Sequence, residues 1–158
     1  MYSSSNTYSA GAGAYGKVAS ETGAMSASPH KLISMLFDGA KTAIVMARHH
    51  MAEGQIQAKG NAISKAINIV DSGLKASLDA KAGGPAGAAL VADLSALYDY
   101  ICQRLMYANL RNDPALLDEA ERLLANLSSA WQEIDPQKTS ALSQSDQVPT
   151  TTRFSVGA

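Results

Sequence analysis

The chain has 158 residues, with 13 basic and 14 acidic side chains for a formal net charge of -1. That balance argues against wholesale electrostatic binding of nucleic acid. One cysteine, Cys102, excludes an internal disulfide and a multi-cysteine metal cluster. No stretch approaches the uninterrupted apolar length of a membrane-crossing helix, and the first residues lack the basic region and apolar core of a secretory signal.

Residues 1–28 read as a flexible arm. Serine, alanine and glycine make up 17 of these 28 residues, too little apolar surface to offset the entropy of ordering the backbone. Three tyrosines, Tyr2, Tyr8 and Tyr15, interrupt it. Each is either a scattered surface ring or an anchor onto a groove. The arm ends at Ser28-Pro29, a strong helix start: the serine oxygen can accept an orphan N–H, and proline at the first helical position has no N–H to leave unsatisfied.

From there Leu32, Met35, Leu36, Gly39, Ala40, Ala43, Met46, Ala47 and His50 follow helical spacing, and Gly54 is the expected stop. Gly39 inside a helix is unfavourable by about 1 kcal/mol, which close approach of another helix or chain would explain. A second helix is predicted from Gln55 or Ala58 to Ala80, carrying Ile56, Ile63, Ile67, Val70, Leu74 and Leu78 at near-heptad spacing. The run Lys81-Ala-Gly-Gly-Pro-Ala-Gly reads as a turn. A third helix is predicted from Ala88 to Leu110, with Leu90, Leu94, Leu97, Ile101 and Leu105 as its stripe. Asn112-Asp113-Pro114 repeats the cap-then-proline signal. It opens a fourth helix to Ile134 that carries Leu116, Leu117, Ala120, Leu123, Leu124, Leu127 and Trp131. Residues 136–158 read as a disordered tail, since serine, threonine and glutamine make up 11 of the 23. Four helices with short connections imply an all-α, antiparallel up-down four-helix bundle over 29–135.

Catalytic and metal chemistry finds little support. His49 and His50 point about 100° apart on one helix, so with Glu53 they are poorly placed to share an ion. The Glu-x-x-His pairs of a di-iron bundle are absent. Cys102 is mid-helix with no histidine near it in sequence, which reads as a packed or half-exposed thiol. Gly83-Gly84-Pro85-Ala86-Gly87 lacks the lysine and Ser/Thr of a phosphate-binding loop. Arg104 and Arg111 share a helix face, but no long basic stripe forms. A binding role remains. Small residues on the first two helices and apolar faces wider than a strict seam leave two readings open: a bundle that takes an amphipathic partner helix in a groove, or a close-packed bundle whose alanines fill narrow gaps.

Four blocks in order resemble the FliS family of flagellin-specific export chaperones: Met25-Ser-Ala-Ser-Pro-His-Lys-Leu-Ile-Ser-Met-Leu-Phe-Asp-Gly-Ala40, Ala58-Lys-Gly-Asn-Ala-Ile-Ser-Lys-Ala-Ile-Asn-Ile-Val-Asp-Ser-Gly-Leu-Lys75, Leu94-Ser-Ala-Leu-Tyr-Asp-Tyr100 and Ala108-Asn-Leu-Arg-Asn-Asp-Pro114. The resemblance covers roughly residues 14 to 135. It implies a helical bundle in the bacterial cytoplasm that binds the C-terminal segment of newly made flagellin. The segment would lie partly as helices in hydrophobic grooves, kept from premature polymerisation and fit for the flagellar type III export gate.

No enzyme activity, cofactor or metal is implied, and no nucleic acid or membrane insertion. A weak homodimer is a further expectation. The runner-up readings are a bundle adaptor or chaperone for another flagellar client or regulator, and a structural dimerising bundle. The family's N-terminal tyrosine maps to Tyr15, where the arm can lie over part of the bundle; the aliphatic residue that some relatives carry three positions earlier is Ala12 here. The flagellin-binding residues expected from the resemblance and the stripes together are Tyr15, Ile63, Ile67, Leu74, Leu94, Leu97, Ile101 and Leu105. The wide apolar faces must serve both core and groove, and spacing does not divide them.

Overall fold

A computed structural model describes residues 27–79 and 84–135. The arm with Tyr2, Tyr8 and Tyr15, residues 80–83 and the tail after Asp135 lie outside the described residues. The fold is all-α: α1 (Pro29–Ala52), α2 (Ile56–Asn68), α3 (Gly84–Arg111) and α4 (Pro114–Glu133) form a four-helix bundle, with no strand among the described residues. The chain divides into two compact units, Met1–Met35 and Leu36–Ala158.

In the first unit the described residues are the start of α1. Ser28 Oγ accepts from the Lys31 N–H at 3.1 Å, the cap expected from Ser-Pro. Pro29 opens the helix, and the Ser34 hydroxyl donates back to the His30 carbonyl at 3.2 Å.

In the second unit the helices alternate in direction, as short connections require. Leu36 lies opposite Gly73 and Gly39 opposite Ile69, so α1 and α2 run antiparallel. Lys59 reaches Asn109 and Asn112, while Cys102 faces the Ile67 carbonyl, so α2 and α3 do the same. Arg48, near the end of α1, pairs with Asp118 and Glu121 at the start of α4. The core is mainly aliphatic and rich in alanine: Ala40, Ile44 and Ala47 from α1, Ile63 and Ala66 from α2 with Val70 beyond it, Ile101, Leu105 and Ala108 from α3, and Leu117, Ala120 and Leu124 from α4, with Phe37 and Tyr98 as its buried aromatics. Small side chains let backbones approach, and the branched ones fill what space is left.

Two boundaries differ from the sequence expectation. The second helix does not run regularly to Ala80. After Asn68 it widens into a π segment, Ile69–Leu74, then tightens into a 3-10 turn, Lys75–Ser77. The third helix starts at Gly84, four residues before Ala88. Gly84 has φ +66, a conformation open to glycine, and Pro85 follows with its φ already set for a first helical turn. The glycine-proline pair that reads as a break is thus also a helix start. At the other end of α3 Asn112 has φ 52, and the Asp113 N–H donates to the Ala108 carbonyl at 3.1 Å, closing the helix by the left-handed C-terminal motif. Asp113 then caps α4, its Oδ1 accepting from the Ala115 N–H at 2.9 Å.

Candidate functional site

Of the eight residues expected to hold a partner, Tyr15 lies outside the described residues. Ile63, Leu74, Ile101 and Leu105 are fully buried core side chains. Ile67, Leu94 and Leu97 are half-buried and present accessible apolar surface. The difference follows from helical geometry. Ile101 and Leu105 sit mid-stripe on α3 with α2 and α4 alongside, whereas Leu94 and Leu97 lie toward the helix start.

The accessible apolar surface is wider than those three side chains. Leu90 is 59% exposed, and Val45, Met46, Met106 and Ile134 are each about half exposed or more. Ile56 and Leu110 are the most open of the large hydrophobics, at 77% and 73%. Leu90 extends the stripe of Leu94 and Leu97 by one turn. Met106 and Leu110, four residues apart, form a second strip off the core face of α3. Sequence reasoning passed over Val45, Met106 and Leu110. The available signal was an apolar side chain lying off the main stripe of an amphipathic helix, which has no core to enter.

Where α1 ends, α2 begins and α3 ends, a cavity of about 300 Å³ is lined by His50, Ile56, Lys59, Asn109, Leu110 and Asn112 together with Met51, Gly54 and Gln55. Lys59 is only 5% exposed. Its Nζ donates to the Asn109 carbonyl at 3.2 Å and to Asn112 Oδ1 at 3.0 Å. A cation at the C-terminus of α3 also complements the helix dipole.

Other polar groups join neighbouring helices or pair within one helix. The Arg48 guanidinium donates to Asp118 at 2.9 Å and to Glu121; the bond to Glu121 chiefly holds it still more firmly protonated. Lys75 meets Asp99 at 2.6 Å, Tyr100 donates to Glu119, and Arg104 lies 4.7 Å over the Tyr100 ring. Arg111 likewise lies over Tyr107, so the two arginines that share a helix face each stack on a tyrosine one turn back. His50 Nδ1 is 2.6 Å from Gln55 Oε1. Among the described residues no group of His, Cys, Asp and Glu is placed to hold a metal ion, and no helix is long and apolar enough to cross a membrane. Burial, with Asp71 and Asp99 nearby, pushes the Cys102 thiol up to about 11. It is therefore protonated at neutral pH and a poor nucleophile.

The chain is matched by sequence comparison. Residues 11–138 fit the family model of the flagellar protein FliS. The chain is 52% identical over 124 residues to the flagellar secretion chaperone FliS of Salmonella typhimurium (strain LT2), a match covering 78% of this chain and 89% of that protein. The flagellar secretion chaperone FliS of Escherichia coli (strain K12) is 43% identical over 123 residues, covering 78% and 88%. That of Vibrio cholerae serotype O1 is 34% identical over 124 residues, with the same coverage.

Proposed function

Because the chain belongs to the FliS family of flagellar secretion chaperones, a chaperone family and not an enzyme family, we propose that its client is flagellin. It binds the C-terminal segment of flagellin in hydrophobic grooves, prevents premature polymerisation in the cytoplasm, and delivers the subunit to the flagellar type III export gate. The observation that carries this reading is the apolar stripe of α3, which continues past its covered part through Leu97, Leu94 and Leu90. A client segment that is apolar on one side and unpartnered before assembly would cover that stripe. Each Å² removed from water contributes roughly 25 cal/mol, offset by the entropy of ordering the segment.

In this reading Ile67, Leu94 and Leu97 touch the client directly. Ile63, Leu74, Ile101 and Leu105 shape the grooves from beneath. Tyr15 acts as a weakly held cap: a ring with a polar rim can dock without a dry pocket. A weak homodimer of the client-free protein would pair through this same apolar surface, and client binding would displace it.

Calorimetric titration of the full chain with the C-terminal segment of its cognate flagellin tests the proposal. One-to-one binding without nucleotide or metal, with a negative heat-capacity change, is expected. Replacing Tyr15 by Ala should weaken binding about fivefold, or about 1 kcal/mol, with little change in melting temperature, while Tyr2→Ala and Tyr8→Ala should be silent. Absence of binding to flagellin, with capture of another flagellar client, would replace this reading by that of an adaptor.

A further inference from the structure

The cavity at the junction of α1, α2 and α3 holds a cation whose partners within the protein are incomplete. An ammonium group has three N–H donors. Lys59 Nζ gives two of them to neutral oxygens, the Asn109 carbonyl and Asn112 Oδ1, and among the described residues it makes no ion pair with a carboxylate. The dipole of α3 offsets part of the charge, but the Lys59 residue is only 5% exposed and a cation drawn out of water is better held with a counter-ion. A carboxylate entering the cavity would supply both a third acceptor and the missing charge, in a charge-assisted bond stronger than a neutral one.

The rim gives the second observation. Ile56 and Leu110, the two most exposed large hydrophobics among the described residues, both line this same cavity. They come from different helices, one at the start of α2 and the other at the end of α3. Apolar side chains lining the same cavity as the cation fit a carboxylate carried among apolar residues better than an isolated anion.

We infer that this cavity receives an aspartate or glutamate side chain of the client, flanked in the client by apolar residues. The carboxylate bonds to Lys59 Nζ, and the flanking residues cover Ile56 and Leu110. The inference rests on the reading of the protein as a flagellin-binding chaperone and adds a polar register point to it: apolar grooves tolerate sliding, whereas a single buried ion pair fixes which residue of the client sits where.

Nuclear magnetic resonance of the isotopically labelled full chain tests this without flagellin. The probes are two blocked tripeptides at millimolar concentration, acetyl-Leu-Glu-Leu-amide and acetyl-Leu-Gln-Leu-amide. The glutamate peptide should shift the Ile56 and Leu110 methyl signals and the Asn112 side-chain amide, binding about fivefold more tightly than the glutamine peptide. Lys59→Met should abolish that preference while leaving the apolar contacts. Equal responses to the two peptides, or shifts confined to other parts of the protein, overturn the inference using the unmodified chain alone, so the result stands even if Lys59→Met folds poorly. In the second arm each acidic residue of the flagellin segment is changed in turn to its amide. One position should lose about tenfold in affinity; a flat scan with intact binding rejects the acidic register point and leaves the client reading in place. Retained glutamate preference in the first arm with no flagellin binding in the second rejects flagellin as the client instead.

Discussion

The two halves of α3 carry one apolar stripe and meet opposite fates. Leu90, Leu94, Leu97, Ile101, Leu105 and Ala108 recur at three or four residues, the spacing of a single helix face. In the C-terminal half Ile101, Leu105 and Ala108 are fully buried; in the N-terminal half Leu94 and Leu97 are half-buried and Leu90 is largely exposed. For Leu90 the cause is the length of the helix packed beside it. α3 has 28 residues and α4 has 20. Folded back from the turn at Asn112, α4 runs alongside α3 only as far back as about Ala92, given equal rise per residue. Leu90 lies beyond that reach. Periodicity states which face is apolar; what lies across from it decides whether the face becomes core or binding surface.

The largest expected effect tests that division directly. Leu105→Ala removes a fully buried side chain and should destabilise the protein by about 3 kcal/mol, read from denaturant or thermal unfolding. Leu90→Ala on the same stripe should change stability by less than about 0.5 kcal/mol, while weakening client binding severalfold. Equal losses of stability at the two positions would show that Leu90 is core, and would remove the main support for a client surface on the first half of α3.

That contrast also marks how far the sequence could be read. Helix existence, order and cap chemistry were legible, because Ser28-Pro29 and Asp113-Pro114 act within a few residues and the hydrogen bonds at Ser28 and Asp113 form as expected. The start of α3 was not, since Gly84-Pro85 serves equally as turn and as helix opening. The widening of the second helix at Ile69–Leu74 has no signature in spacing, because Ile63, Ala66, Val70 and Leu74 keep a helical period across it. The candidate surface was legible only as a face. Ile67, Leu94 and Leu97 emerged at the surface, but Ile63, Leu74, Ile101 and Leu105 did not, since burial is a property of the opposing helix. The cavity around Lys59 was out of reach for the same reason: Lys59 and Asn112 are 53 residues apart in sequence.

Cysteine chemistry gives a second, intermediate test of the same division. Cys102 lies in the covered half, its Sγ 3.9 Å from the Ile67 carbonyl. Burial first, then the charges of Asp71 and Asp99, push its thiol up to about 11, with Lys75 partly opposing. Alkylation requires the thiolate. At pH 8 iodoacetamide should therefore modify Cys102 at least about tenfold more slowly than a cysteine placed at Ala92, an exposed position in the other half, in a Cys102→Ser background. The rate at Cys102 should go on rising toward pH 11 instead of levelling near 9. The linkage has a definite sign: a folded-state pKa raised above the unfolded one stabilises the fold below the ordinary thiol range, and that contribution is lost as pH climbs through about 11. Equal rates at the two sites would place Cys102 in open surface.

The smallest effect comes from glycine, where the same residue in a helix interior faces two different neighbours. A methyl group placed on Gly39 of α1 would lie 3.5 Å from Cδ1 of Ile69, an ordinary contact. Gly39→Ala should then gain helix propensity and raise stability by about 0.5 kcal/mol. A methyl group on Gly73 would lie 3.1 Å from Cδ2 and 3.3 Å from Cδ1 of Leu36. Gly73 also sits inside the π segment, so less of the usual α-helical gain is available there. Overpacking the seam should outweigh that gain, and Gly73→Ala should lower stability by about 1 kcal/mol. Replacing Leu36 by Ala in the same chain should then offset part of the Gly73→Ala penalty, because the added methyl occupies space the leucine leaves. A double-mutant cycle reads this coupling directly. Additive losses at positions 36 and 73 would show that the seam has room for the methyl, and that the glycine at 73 answers to the backbone of the widened turn instead of the side chain across from it.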